Sequence, residues 1–270
     1  MAYSITERCV KRLILLDMNK KLLGTVLVIA VIILSLGGVM LRQRARAPEP
    51  QAALSNKPAA RPDTITPSSQ DEFNKQLHSL TEPSSIWVIA NKTHALPTSY
   101  APASLVTPEI NLRLRGTEEQ MKISSVASSS LESLFAAAKK DGLSLKLSSG
   151  YRSGALQKQF YDSYVARDGQ TAADTYSARP GTSEHQTGLA ADIIPDNDAC
   201  HLEVCFANLP EGAWLAKHAH EHGFIIRYLK DKQAHTGYQY EPWHIRYVDK
   251  GLAKKLYESG LTMEEFFDYQ

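Results

Sequence analysis

Cysteine is scarce, with three in 270 residues, too few for a disulfide-dense scaffold. Neither sign of charge is in excess. Thirty Lys and Arg stand against 29 Asp and Glu, for a formal net charge of +1, so no basic surface argues for nucleic acid as a partner. No segment repeats, which removes the solenoid architectures. The metal-binding helix pattern H-E-x-x-H is missing as well. "HAHEH" at His218–His222 comes near it, but position 219 is alanine, and the tract reads as a solvated helical turn.

Long apolar runs are absent with one exception. Leu22 to Leu41 carries no charge across 20 residues. At about 1.5 Å per residue it spans a hydrocarbon core of roughly 30 Å. Cleavable signal peptides have shorter apolar regions. The small-residue pattern at Ala45–Ala47 follows Arg42 and Arg44, contains Arg46 and precedes Pro48. The sequence therefore predicts an uncleaved transmembrane helix over residues 22–41. Arg8, Lys11, Arg12, Lys20 and Lys21 lie before it, and Arg42, Arg44 and Arg46 after it. That excess places residues 1–21 in the cytoplasm. The expectation is a single-pass protein of the cell membrane with its main domain extracytoplasmic. Residues 42–71 are rich in Pro, Ala and Ser without an apolar period, as in a flexible linker. Residues 72–270 form the folded domain.

Within that domain "SIWVIANK" (85–92) reads as a strand or extended arm. Residues 117–142 read as a helix with a ragged apolar face and Gly142 at its end. Residues 143–149 alternate leucine with Ser and Lys, the period of a half-buried strand. A helix over 154–169, a strand over 188–194, a helix over 211–223 and a strand over 224–229 follow. A further strand over 240–248 contains Pro242, which requires an edge or a bulge there. Two short helices, 250–259 and 262–269, close the chain, the second with a capping box at Thr262 and Glu265. The mixed order predicts an α+β domain, with helices packed on a mainly antiparallel sheet.

Two stretches carry chemistry. "TSEHQTGLAAD" sets His185 seven residues before Asp192 among small and apolar residues, and "EPWH" sets Glu241 three before His244. Zinc accepts imidazole nitrogen and carboxylate oxygen, and a hydrolytic site commonly uses three protein ligands. His185, Asp192 and His244 would supply one such set. Glu241 would stand beside it as general base on the attacking water and then as proton donor to the leaving amine. Trp243, between base and ligand, would border the site. By spacing alone, a hydrogen-bonded structural His–Asp pair fits as well.

"SGYRS" (149–153), "SARPGTSEHQTGLAADI" (177–193) and "GYQYEPWHIRYV" (237–248) resemble the signature blocks of the VanY-type zinc D-alanyl-D-alanine carboxypeptidases, in the same order over about 100 residues. The resemblance implies a Hedgehog/DD-peptidase-like fold, one catalytic Zn2+ and removal of the terminal D-alanine from peptidoglycan stem peptides. It makes His185, Asp192 and His244 the metal ligands and Glu241 the catalytic base. It puts Arg152 in the catalytic machinery, where a guanidinium serves an oxyanion or a substrate carboxylate. Tyr151, Gln157, Ser183 and Trp243 fall on the substrate side. An L,D-carboxypeptidase or an endopeptidase on the same scaffold stands as the alternative, and a zinc-bearing wall-binding module without catalysis as the rival from another class. Cys200 and Cys205 would form a small disulfide outside the cytoplasm, worth about 2 kcal/mol by loop entropy.

Overall fold

The structure, a computed structural model, describes residues 73–269. The expected cytoplasmic segment, membrane helix and linker lie outside the described residues. Among the described residues no helix is long and apolar enough to cross a membrane.

The segment over 85–92, expected as a strand or extended arm, forms no strand and joins no sheet, and turns close at Ser85 and Val88, whose amides donate to Glu82 O and Ser85 O. Trp87, Val88, Ile89 and Ala90 are buried in it, and Trp87 Nε1 donates to Val248 O and to Asp249 Oδ2. A two-stranded ladder pairs β1 (Leu105–Val106) with β2 (Ile123–Ser124). Helix α1 then runs Ser125–Lys140, shorter than the 117–142 expected. Its predicted first two turns are instead a 3-10 turn at Glu119–Met121 and strand β2. The amides of Ser124 and Ser125 are engaged by Gly188 O and Ser104 O, so the helical ladder starts only after them. The ragged apolar spacing reflects this change of period.

The main sheet contains β3 (Leu145–Ser149), β4 (Ala190–Pro195), β5 (Phe224–Tyr228) and β6 (Glu241–Tyr247), in the order β3-β4-β6-β5 and antiparallel throughout. Helices α2 (Gly154–Asp168) and α3 (Gln170–Tyr176) lie between β3 and β4. The break between them falls at Gly169, with φ 81°. α4 (Pro210–His218) precedes β5 and α5 (Gln233–Thr236) follows it. α6 (Lys250–Ser259) and α7 (Met263–Phe267) close the described chain, with the expected capping box present at Thr262 and Glu265. Pro242 lies in a central strand, not an edge. The irregularity falls beside it, where the β5–β6 register shifts between Ile226 and Tyr228.

Period-two alternation gives the sheet two different faces. Ala191, Ile193, Phe224 and Ile245 pack with Leu131, Leu134 and Phe135 of α1 in one core cluster. On the other face Ile225 joins Trp87, Leu252, Leu256 and Met263 in a second. That second face also carries Asp192, His244, Arg227 and Arg246, all buried.

Candidate active site

β4 and β6 pair so that Asp192 stands directly opposite His244. Because alternation turns both away from the α1 core, the two side chains meet, with His244 Nδ1 3.2 Å from Asp192 Oδ1. His185 arrives from a single 3-10 turn, Glu184–Thr187, just before β4. Gly188 closes that turn at φ 66°, and a Cβ there would lie 3.1 Å from both Ser124 N and Leu105 Cδ2. Hence the glycine between His185 and Asp192 serves a left-handed turn under tight packing.

His185 Nδ1 lies 2.6 Å from Gly150 O. A carbonyl only accepts, so this ring nitrogen carries the proton and Nε2 turns its lone pair toward Asp192 Oδ2 at 3.2 Å. Gly150 is fixed by crowding, since a Cβ on it would collide with the Lys122 carbonyl oxygen. Burial, joined by the nearby Arg152 charge, pushes His185 below the usual histidine range despite Asp192. For His244 burial also acts downward, but contacts with Asp192 and Glu184 outweigh it and raise the group to about 9. The carboxylates thus demand positive charge at this point, supplied by a proton or by a metal ion.

One donor atom each from His185, Asp192 and His244 falls within 4.8 Å of the others, and all three residues are buried. Asp192 Oδ1 is buried with no hydrogen-bond partner. Two imidazoles and a carboxylate converging with an unsatisfied oxygen suit a zinc-type ion. Glu241 Oε2 lies 3.4 Å from His244 Nδ1. Burial raises the Glu241 carboxyl to about 7, although 23% of its side chain remains open to water in the cleft.

These residues line a cleft of about 480 Å3 that also contains Arg152, Gln157, Ser183 and Trp243. Arg152 Nη1 donates to Gln157 Oε1 at 2.9 Å and Nη2 to Ser149 Oγ at 3.1 Å, while Nε is buried without a partner. Gln157 donates its amide to Ala178 O at 2.7 Å. Gln157 thus orients the guanidinium, with both ends of its amide already engaged. Trp243 alternates away from His244, packs partly on the α1-side core and edges the cleft. Tyr151, expected on the substrate side, is not brought to the cleft. It is buried, and its amide donates to Lys122 O in the turn that presents Gly150.

The cleft also holds residues not expected from sequence, among them Ser149, Leu202, Tyr228 and Tyr238. Leu202 sits inside the short loop closed by Cys200 and Cys205, whose sulfurs are bonded at 2.09 Å. Glu184, within the His–Asp stretch, lies behind the site, fully buried between Arg227 and Arg246. A usable signal was present: "FIIRYL" and "HIRYV" each put an arginine in an apolar strand, where burial requires an acid.

Fold and site together define an α+β protein whose cleft gathers two histidines and two carboxylates. The VanY family, described as D-alanyl-D-alanine carboxypeptidase, matches residues 120–250. A putative carboxypeptidase, YodJ of Bacillus subtilis (strain 168), is 41% identical over 192 residues, covering 71% of this chain and 70% of its own length. The chain belongs to the VanY D-alanyl-D-alanine carboxypeptidase family. Among solved structures, the LD-carboxypeptidase LdcB is similar with a TM-score of 0.67 at 41% identity, over 69% of this chain and 87% of that one. The vancomycin-resistance D,D-pentapeptidase VanY, in complex with Zn(II), is similar with a TM-score of 0.54 at 34% identity, over 68% and 99%.

Proposed function

We propose that this chain is a membrane-anchored zinc carboxypeptidase that releases the C-terminal D-alanine of peptidoglycan stem peptides. The observation that carries this reading is the convergence of His185, Asp192 and His244 within 4.8 Å, with Glu241 beside them in the cleft that holds Arg152. Those three would hold the ion, which when bound supplies a Lewis acid for the scissile carbonyl and eases deprotonation of water. Glu241 takes a proton from the attacking water and returns one to the leaving amine as the C–N bond breaks. Arg152, pre-aimed by Gln157 and Ser149, offers its charge in the cleft to the substrate carboxylate or the developing oxyanion. A wall-binding module has no use for a carboxylate base beside its metal ligands, where Glu241 Oε2 lies 3.4 Å from His244 Nδ1.

Sequence alone favoured the D,D reading, cleavage of a pentapeptide. The greater likeness to an LD-carboxypeptidase, 41% identity against 34% for the D,D-pentapeptidase, supports an L,D reading, cleavage of a tetrapeptide. Both release a terminal D-alanine, but the centre that precedes it is D-configured in the one case and L-configured in the other. Leu22–Leu41 supplies the anchor of this proposal and residues 42–71 the tether, with the catalytic domain outside the cytoplasm. The test is to incubate the zinc-loaded chain with tetrapeptide and pentapeptide and weigh the products. Loss of one D-alanine from the tetrapeptide alone supports L,D cleavage, and loss from the pentapeptide alone supports D,D cleavage. A cut within the peptide supports the endopeptidase alternative. No product from either contradicts the enzymatic reading.

A further inference from the structure

Among the described residues, Glu184 is an acidic group in contact with the proposed ligand set that the mechanism above leaves unused. Its side chain is wholly buried. Oε1 accepts from Arg227 Nε at 2.8 Å and from Arg246 Nη1 at 2.7 Å. Oε2 is buried and accepts from nothing. It faces His244 Nε2 at 3.9 Å, and that ring nitrogen is likewise buried without a partner. Two orphaned buried polar atoms of matching character therefore face each other, about 1 Å beyond hydrogen-bond length.

The charges around them fix the direction of the missing bond. Arg227 also donates to both oxygens of Glu264, at 2.9 and 2.6 Å, and Asn91 Nδ2 donates to the same carboxylate. The second end of Arg246 donates to the carbonyls of Ile86 and Val88. Two carboxylates and two guanidiniums thus balance within one buried cluster. An ionised Glu184 only accepts, so an imidazole nitrogen facing it must bring the proton. With that proton on Nε2, a neutral His244 carries its lone pair on Nδ1, the atom 3.2 Å from Asp192 Oδ1. A lone pair aimed at a carboxylate is unfavourable unless a cation joins them.

We infer that Glu184 is a positioning residue for the metal site: it accepts the Nε2 proton of His244 and thereby commits Nδ1 to the metal, while Arg227 and Arg246 hold the carboxylate in place. This rests on the ligand set proposed above. Partners of this kind behind a metal-bound histidine are typically worth about 10–100-fold in metal affinity.

The experiment compares zinc affinity, by chelator competition on the full chain, for wild type, Glu184→Gln and Glu264→Gln. Both substitutions disturb the same ion cluster, but only the first touches the His244 contact. The expected result is zinc binding weakened about 10–100-fold in Glu184→Gln and near wild type in Glu264→Gln. Equal affinity in all three, or equal loss in both variants, overturns the role and leaves Glu184 a purely structural ion. Should Glu184→Gln fail to fold, nitrogen NMR of zinc-loaded wild type decides. A proton on His244 Nε2 supports the inference, and a proton on Nδ1 overturns it. Wild-type chain that binds no zinc instead overturns the ligand set, and this inference falls with it.

Discussion

At the scale of single residues, holding a metal and using it fall to different side chains. His185→Ala and His244→Ala are expected to lose zinc and hydrolysis together, measured as metal content and D-alanine release on one preparation. Arg152→Ala is expected to keep its zinc and lose about 10²–10³-fold in kcat/KM, the usual cost of removing a donor aimed at developing charge. Unchanged kcat/KM in that variant would show that the guanidinium serves packing alone. By spacing alone His185, Asp192, Glu241 and His244 fitted a structural pair as well as a ligand set, and it was the resemblance of whole motifs that singled them out, since the register setting Asp192 opposite His244 is fixed by pairing between distant strands. Gln157 and Tyr151 were not legible in their contacts, because their places depend on where α2 and the Gly150 turn sit against other elements. Motif position showed that they lie near the site, but not what they touch.

At the scale of elements, the sheet was legible wherever alternation was clean, as in β3, and at Pro242, where of the expected edge or bulge the structure shows the irregularity. The start of α1 was not, since its first predicted turns are claimed by partners distant in sequence, Gly188 and Ser104. The Cys200–Cys205 loop is the element whose function is easiest to probe. Cys200 and Leu202 both hold left-handed backbone, at φ 50° and 53°, which a non-glycine residue adopts only under constraint. The disulfide is one such constraint, and His201 Nε2 against Ser148 Oγ at 2.8 Å is another. Since Leu202 lines the cleft, Cys200→Ser/Cys205→Ser is expected to raise KM several-fold with zinc content unchanged. An unaltered KM would mean that Leu202 makes no use of its position in substrate binding.

At the scale of the whole molecule, the buried Glu184–Arg227–Glu264 cluster ties the site to helix α7 and, through Asn91, to the 85–92 segment. Burial acts to raise the Glu264 carboxyl, but Arg227 outweighs it and holds the group below the usual range. Its stabilising effect is therefore fully present above the ordinary glutamate pKa near 4.3 and is lost as pH falls through the lower folded value. Glu264→Gln is expected to destabilise the protein at pH 7 by about 3–5 kcal/mol, the usual cost of breaking a buried pair. In denaturant titrations the gap to wild type should narrow as pH drops below about 4. A gap that stays constant with pH would remove the ion pair from the explanation. The proposed anchor, in turn, predicts that protease added to intact spheroplasts sheds the catalytic domain by cutting within residues 42–71. A domain protected until lysis would reverse the proposed orientation. The most direct measurement for the central claim is zinc stoichiometry and D-alanine release in Glu241→Gln beside wild type. The substitution keeps shape but cannot take a proton, so the account predicts about one zinc per chain in both and turnover reduced by at least about 10²-fold in the variant. Near-normal turnover in Glu241→Gln, with its zinc in place, would contradict it.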